Sequence, residues 1–182
     1  MKPKATATIA VTAIAATVVG AAPAATQATA PADLQSVLLH ALDDEYRAEA
    51  TYQAVLDRFG DVRPFSNIIQ AERRHSAMVS ADLERHGWDT PANPYPGTIE
   101  APDTMLAACQ LGVEAELENI ALYDRLLPQV DDARSRIVLE RLQAASRDRH
   151  LPAFQRCVDR GGTPGRGPGG GMGRGGGMGR GG

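Results

Sequence analysis

The sequence predicts an all-α fold, a bundle of four long helices, and three observations predict it. Apolar residues recur in alternating steps of four and three over successive segments, the spacing of a helix with one buried seam. No stretch carries the two-residue alternation of a strand. Glutamates interrupt the seams at matching points: Glu45 is followed seven residues on by Tyr52, and Glu116 seven residues on by Tyr123.

The first helix starts at Asp33, a good N-cap after Pro31. Its seam reads Leu34, Leu38, Ala41, Glu45, Ala48, Tyr52, Val55 and Phe59, and Gly60 closes it. The second opens at Pro64, whose fixed φ suits the first helical position. Its seam runs Phe65, Ile68, Glu72, His75, Val79 and then Asp82 or Leu83, with Gly87 at the end. Between Trp88 and Ala101, Pro91, Pro94 and Pro96 exclude a helix. The third helix is expected from Pro102 to about Leu127, with Met105, Cys109, Gly112, Glu116, Asn119 or Ile120, and Tyr123 inward. A turn over Pro128–Asp132, capped by Asp131 or Asp132, leads into a fourth helix from Ala133 toward Asp159, where Pro152 predicts a kink. Short turns make helices one and two, and three and four, antiparallel pairs. The loop of 14 residues between helices two and three spans a helix length at about 3.3 Å per residue, so a long lengthwise crossover is open to it.

The ends of the chain have a different composition. Residues 1–24 have the form of a secretory signal: Lys2 and Lys4, an Ala- and Thr-rich apolar run, and Ala22-Pro23-Ala24 as a cleavage site. The alternative is an uncleaved anchor. Residues 25–32 form a linker, 33–160 the helical domain, and 161–182 a Gly/Arg-rich tail that cannot bury a core and is expected to be disordered. The expected location is outside the cytoplasm, in the periplasm, cell envelope or medium, with no membrane segment after signal cleavage. Every acidic residue lies between Asp33 and Asp159, which argues against a nucleic-acid partner for the domain. In an oxidising compartment the two cysteines suggest a disulfide.

Glu45, Glu72, His75 and Glu116 occupy positions otherwise filled by Leu, Ile, Phe and Ala. Buried carboxylates are costly unless paired or bound to a cation. A glutamate on one helix and an i, i+3 Glu/His pair on the next is how four-helix bundles build carboxylate-bridged metal sites. With His150 the set suits one or two iron or manganese ions, which favour carboxylate and imidazole ligands. The alternative is a metal-free charged network neutralised by arginine. Arg147, three residues before His150, is expected to face the same way, where a second bridging Glu would stand, and to pair with Glu116. Tyr52 and Tyr123 can hydrogen-bond the ligand carboxylates or simply fill the core. Cys109 lies seven residues before Glu116 and Cys157 seven after His150, so a shared site between antiparallel helices brings the cysteines level, as a Cys109–Cys157 disulfide.

The stretch from Asp44 to Gly162 resembles an uncharacterised bacterial ferritin-like family, the DUF2202 domain. The matching features are the Glu45-to-Tyr52 segment, Phe65-Ser-Asn-Ile with Ala71-Glu72-Arg-Arg-His75, Gly112-x-x-x-Glu116, and Ser146 to Phe154 with His150-Leu-Pro-Ala-Phe. The resemblance implies a ferritin-like four-helix fold with a di-iron or di-manganese site at Glu45, Glu72, His75, Glu116 and His150. The chain departs from the superfamily pattern at Arg147, and carries Asn119 where the resemblance implies an acid. The expected function is metal binding, with oxidation of Fe(II) by dioxygen or peroxide as the activity it allows and an oligomer left open. The competing expectation is a metal-free binding or scaffold module whose degenerate site Arg147 neutralises.

Overall fold

The computed structural model describes residues 33–163; the expected signal segment, the linker and the tail from residue 164 lie outside the described residues. Helix α1 covers Leu34–Phe59, and the Asp33 side chain accepts the Ser36 N–H at 2.8 Å. Gly60 ends it at φ 81°, a left-handed conformation that glycine adopts without strain, and donates its N–H to Leu56 O. Helix α2, Phe65–Arg85, starts one residue later than expected, with Pro64 as its cap. Helix α3, Met105–Leu126, starts three residues after Pro102, because Thr104 takes the cap and accepts the Ala107 N–H at 3.1 Å. A short 3-10 turn, Leu127–Gln129, follows. Asp132, one of the two expected caps, accepts the Ser135 N–H at 2.8 Å and opens α4, Ala133–Ala145.

The expected kink at Pro152 takes a specific form. A π turn over Ser146–His150 joins α4 to α5, Leu151–Asp159. Within it Leu151 donates to Ser146 O, five residues back rather than four. Pro152 has no N–H to return to Asp148, so the ordinary ladder breaks there in any case. Seam spacing gives a second reason: Leu142, Ser146, His150 and Phe154 are all buried, and each lies four after the last. In an α-helix each four-residue step drifts by about 40°. A wider turn absorbs the drift and keeps these side chains inward.

The crossover is lengthwise. Near its start Tyr46 donates to Pro91 O at 3.3 Å and Tyr95 donates to Asp43 at 2.9 Å. Near its end Asp103 pairs with Arg58 at 2.8 Å. The loop has thus followed α1 over about four turns of helix. It makes α2 parallel to α3, and both antiparallel to α1.

Two apolar clusters fill the bundle. One is built from Leu38, Leu42, Val79, Leu83, Tyr123 and Leu139. The other holds Tyr52, Phe65, Ile69, Cys109, Phe154 and Cys157. Along every helix the glutamates and histidines fall between the two clusters, so the polar layer is walled above and below by hydrocarbon. The Cys109–Cys157 disulfide ties α3 to α5. Beside it Gly112 lets the helices approach, since a Cβ there would lie 2.5 Å from the Phe154 ring. Among the described residues no helix is long and apolar enough to cross a membrane.

Candidate metal centre

The polar layer places five of the expected side chains together, all buried: Glu45 and Glu116 at the middles of α1 and α3, Glu72 and His75 on α2, and His150 at the end of the π turn. Glu72 is central. Its Oε2 lies 2.9 Å from His75 Nδ1, and its Oε1 lies 2.9 Å from His150 Nδ1. Glu45 Oε2 is 3.2 Å from His75, and Glu116 Oε2 is 3.5 Å from His150. The two imidazoles stack, with centroids 5.6 Å apart. Two sets result, Glu45–Glu72–His75 and Glu72–Glu116–His150, each with ligand atoms within 4.8 Å of one another and both using Glu72.

The tyrosines cross over between helices. Tyr52 on α1 donates to Glu116 Oε1 at 2.7 Å, and Tyr123 on α3 donates to Glu45 Oε1 at 2.6 Å. The repeated Glu-x6-Tyr spacing is therefore one device used twice: each segment's tyrosine holds the other's glutamate. One oxygen of each outer glutamate is fixed by a phenol, and the second faces a histidine.

Burial sets the electrostatics. It pushes the Glu45 carboxyl up to about 8, helped by the negative charge of Glu72 and opposed by His75. Burial would raise Glu72 as well, but the imidazolium ions of His150 and His75 facing it outweigh burial and hold the carboxylate at about 2. Burial alone would lower the imidazoles. Glu45 and Glu72 nevertheless lift His75 to about 10, and Glu116 and Glu72 lift His150 to about 9. Both phenols are pushed well above their ordinary range by burial and by the carboxylates they face. Without metal, then, two imidazolium ions neutralise the layer.

The residues fit a pair of divalent cations. Each set offers two carboxylates and one imidazole, a donor combination that iron and manganese accept. His150 Nδ1, though close to two carboxylates, is a buried nitrogen aligned for a hydrogen bond with neither. Charge attraction needs proximity only, whereas a hydrogen bond needs direction. The imidazolium thus has its ion pairs but no directed partner at Nδ1, and loss of the Nδ1 proton frees there the lone pair that a metal ligand requires.

Arg147 is not brought to this centre. It is exposed, and Glu116 is held by Tyr52 and His150 instead. The expectation assumed α-helical geometry, in which residues three apart share a face. The π turn advances the chain by a smaller angle per residue, so Ser146, four before His150, takes the buried position. The signal that locates it is the run of four-residue steps from Leu142 to Phe154. Asp44, buried next to Glu45, was also missed, because it lies one residue off the seam.

Comparison with solved structures finds the same architecture elsewhere. A hypothetical protein from Methanococcus jannaschii DSM 2661 superposes with a TM-score of 0.63 at 20% identity, covering 71% of this chain and 81% of its own. The bacterioferritin BfrA of Mycobacterium tuberculosis gives a TM-score of 0.59 at 15% identity, covering 70% of this chain and 85% of its own. The fold is ferritin-like. No family model matches the sequence, so the narrower resemblance to DUF2202 stays an expectation. No curated protein matches it either. Openings on two sides lead into the ferritin-like bundle's polar layer. A cavity of about 160 Å³ reaches Glu72 and Glu116 between α1 and α3. Another, of about 420 Å³, reaches His75 and His150 between α2 and the α4–α5 side.

Proposed function

We propose that this chain holds a pair of iron or manganese ions among Glu45, Glu72, His75, Glu116 and His150, and that with iron as substrate it oxidises Fe(II) outside the cytoplasm. One observation carries the reading: a single buried carboxylate, Glu72, faces two histidines, each of which also faces its own glutamate. The bound pair supplies two electrons: two Fe(II), dioxygen and two protons give two Fe(III) and hydrogen peroxide, or two Fe(II), peroxide and two protons give two Fe(III) and two waters. Tyr52 and Tyr123 hold Glu116 and Glu45 in orientation before any ligand arrives, which lowers the ordering cost of binding. His75 and His150 give up protons at Nδ1 as cations replace them. The apolar clusters on either side exclude water and strengthen every charge interaction in the layer.

The fold shared with a bacterioferritin supports iron as the metal. The basic, then apolar, N-terminal segment supports export. The Cys109–Cys157 bond suits an oxidising compartment. The imidazolium ions also support a second reading, a metal-free binding or scaffold module, in which the histidines and not Arg147 neutralise the glutamates. An oxygen electrode separates the two. Fe(II) added to mature protein should consume about one dioxygen per two Fe(II), with consumption falling to the buffer rate in Glu72→Ala. Consumption at the buffer rate in the wild type, with Fe(II) oxidation by added peroxide also no faster than in buffer, would refute the oxidase reading.

A further inference from the structure

The opening between α1 and α3 changes character with depth. Its rim carries Glu114, Glu118 and Arg47, all exposed, and its floor is Glu72 and Glu116. Between rim and floor stand Asp44 and Asn119, each 7% exposed. The Asn119 Nδ2 donates to Asp44 Oδ2 at 2.7 Å. A carboxylate can only accept, so this bond fixes which way the amide points. The other arm, Asn119 Oδ1, is buried without a partner on the wall of the cavity. Asp44 Oδ1 is held by the guanidinium of Arg47, whose side chain is half exposed. Neither Asp44 nor Asn119 belongs to the two sets that share Glu72.

We propose that Asp44 and Asn119 form an outer cation site through which Fe(II) or Mn(II) passes from solvent to Glu72 and Glu116. This inference rests on the two-ion reading above. A carboxylate and an amide oxygen are hard ligands suited to such ions. Two of them hold a cation that keeps most of its water, which suits a transit position and not a resting one. Glu114 and Glu118 raise the cation concentration at the mouth. Arg47 acts as the brake: it occupies Asp44 and must swing outward before a cation takes its place, and its exposure leaves it room to do so. The second opening is the wrong way in for a cation. It is lined by Arg74 and Arg149, and the cavity beside it at His75 by Arg141, Arg149 and a single carboxylate, Asp148, so arginines outnumber carboxylates on this side.

Stopped-flow uptake of Co(II), followed anaerobically by its visible absorption, tests this. Asp44→Asn should slow uptake by roughly three- to tenfold at low salt, and Glu118→Gln by less. Arg47→Ala should speed it. All three should reach the wild-type end-point, and the differences should shrink in high salt. Opposite signs for Asp44 and Arg47 are the decisive result, because a merely structural role for their ion pair would move both variants the same way. Equal rates in all variants, or a shift of the same sign in both, would overturn the proposal. If Asp44→Asn fails to fold, Glu118→Gln and Arg47→Ala decide it from the exposed rim. Absence of Co(II) uptake by the wild type is a separate outcome: the two-ion reading itself fails, and the outer site with it.

Discussion

Filling the centre with metal must expel protons, because burial and paired charges keep His75, His150 and Glu45 protonated above their ordinary ranges. Near pH 7 the layer holds a proton on His75, whose value is raised from 6.5 to about 10, and on His150, raised to about 9. A third sits on Glu45, raised from 4.5 to about 8. These protons belong to a coupled cluster, and only their total is measurable. Cations need bare Nδ1 and carboxylate atoms, so binding the pair at pH 7 should release about three protons. The overall constant for the pair then rises steeply with pH through the neutral range and flattens once the cluster has lost its protons. Titration calorimetry with Mn(II), in buffers of different ionisation enthalpy, reads the number directly. The metal-free protein should behave in the opposite sense. The raised values of His75 and His150 contribute stability that is full below about pH 6.5 and lost as pH rises through 9 to 10. The Glu45 contribution, full below about pH 4.5, is lost as pH rises through 8. Glu72, lowered to about 2, contributes above 4.5 and loses its share as pH falls through 2. The metal-free Tm should therefore drop between pH 6 and pH 10, while the increment added by Mn(II) grows. Release of fewer than two protons, or an affinity indifferent to pH, would refute this reasoning.

Other consequences are simpler to measure. Tyr123→Phe removes the donor from Glu45 Oε1 and should cost about 0.5–1.5 kcal/mol in urea unfolding of metal-free protein at pH 7, as for a bond to an uncharged group. Tyr52→Phe should also destabilise, through Glu116. Reducing Cys109–Cys157, which closes a separation of 48 residues, should lower stability by about 2–4 kcal/mol, with amide exchange rising first in α3 and α5. Arg147→Ala, at an exposed position, should change stability by no more than about 0.5 kcal/mol and leave metal stoichiometry unaltered.

The bundle was legible because its signals are local. Asp33 and Asp132 cap helices by sequence pattern alone, and the seams of α1 and α2 keep one register from end to end. The five buried residues of the centre were legible for a related reason, since a charged group on an apolar seam has to be explained. The cysteine pair followed from their equal offsets from Glu116 and His150. What the sequence concealed depends on contacts between helices. The crossed tyrosines needed the antiparallel placement of α1 against α3, which only the path of the crossover fixes. Arg147 was placed wrongly because a π turn cannot be told from an α-helix over three residues; the offset shows only over the longer run from Leu142 to Phe154. Asn119 stood on the expected seam, but its bond to Asp44 was not legible because the pairing spans 75 residues of sequence.

Counting Mn(II) bound per chain in the wild type and in three alanine variants probes the shared carboxylate itself. Wild type should bind two ions, His75→Ala and His150→Ala one each, and Glu72→Ala none, because Glu72 belongs to both sets. If Glu72→Ala still holds an ion, or if either histidine variant loses both, Glu72 is not the bridge and the centre is not a pair.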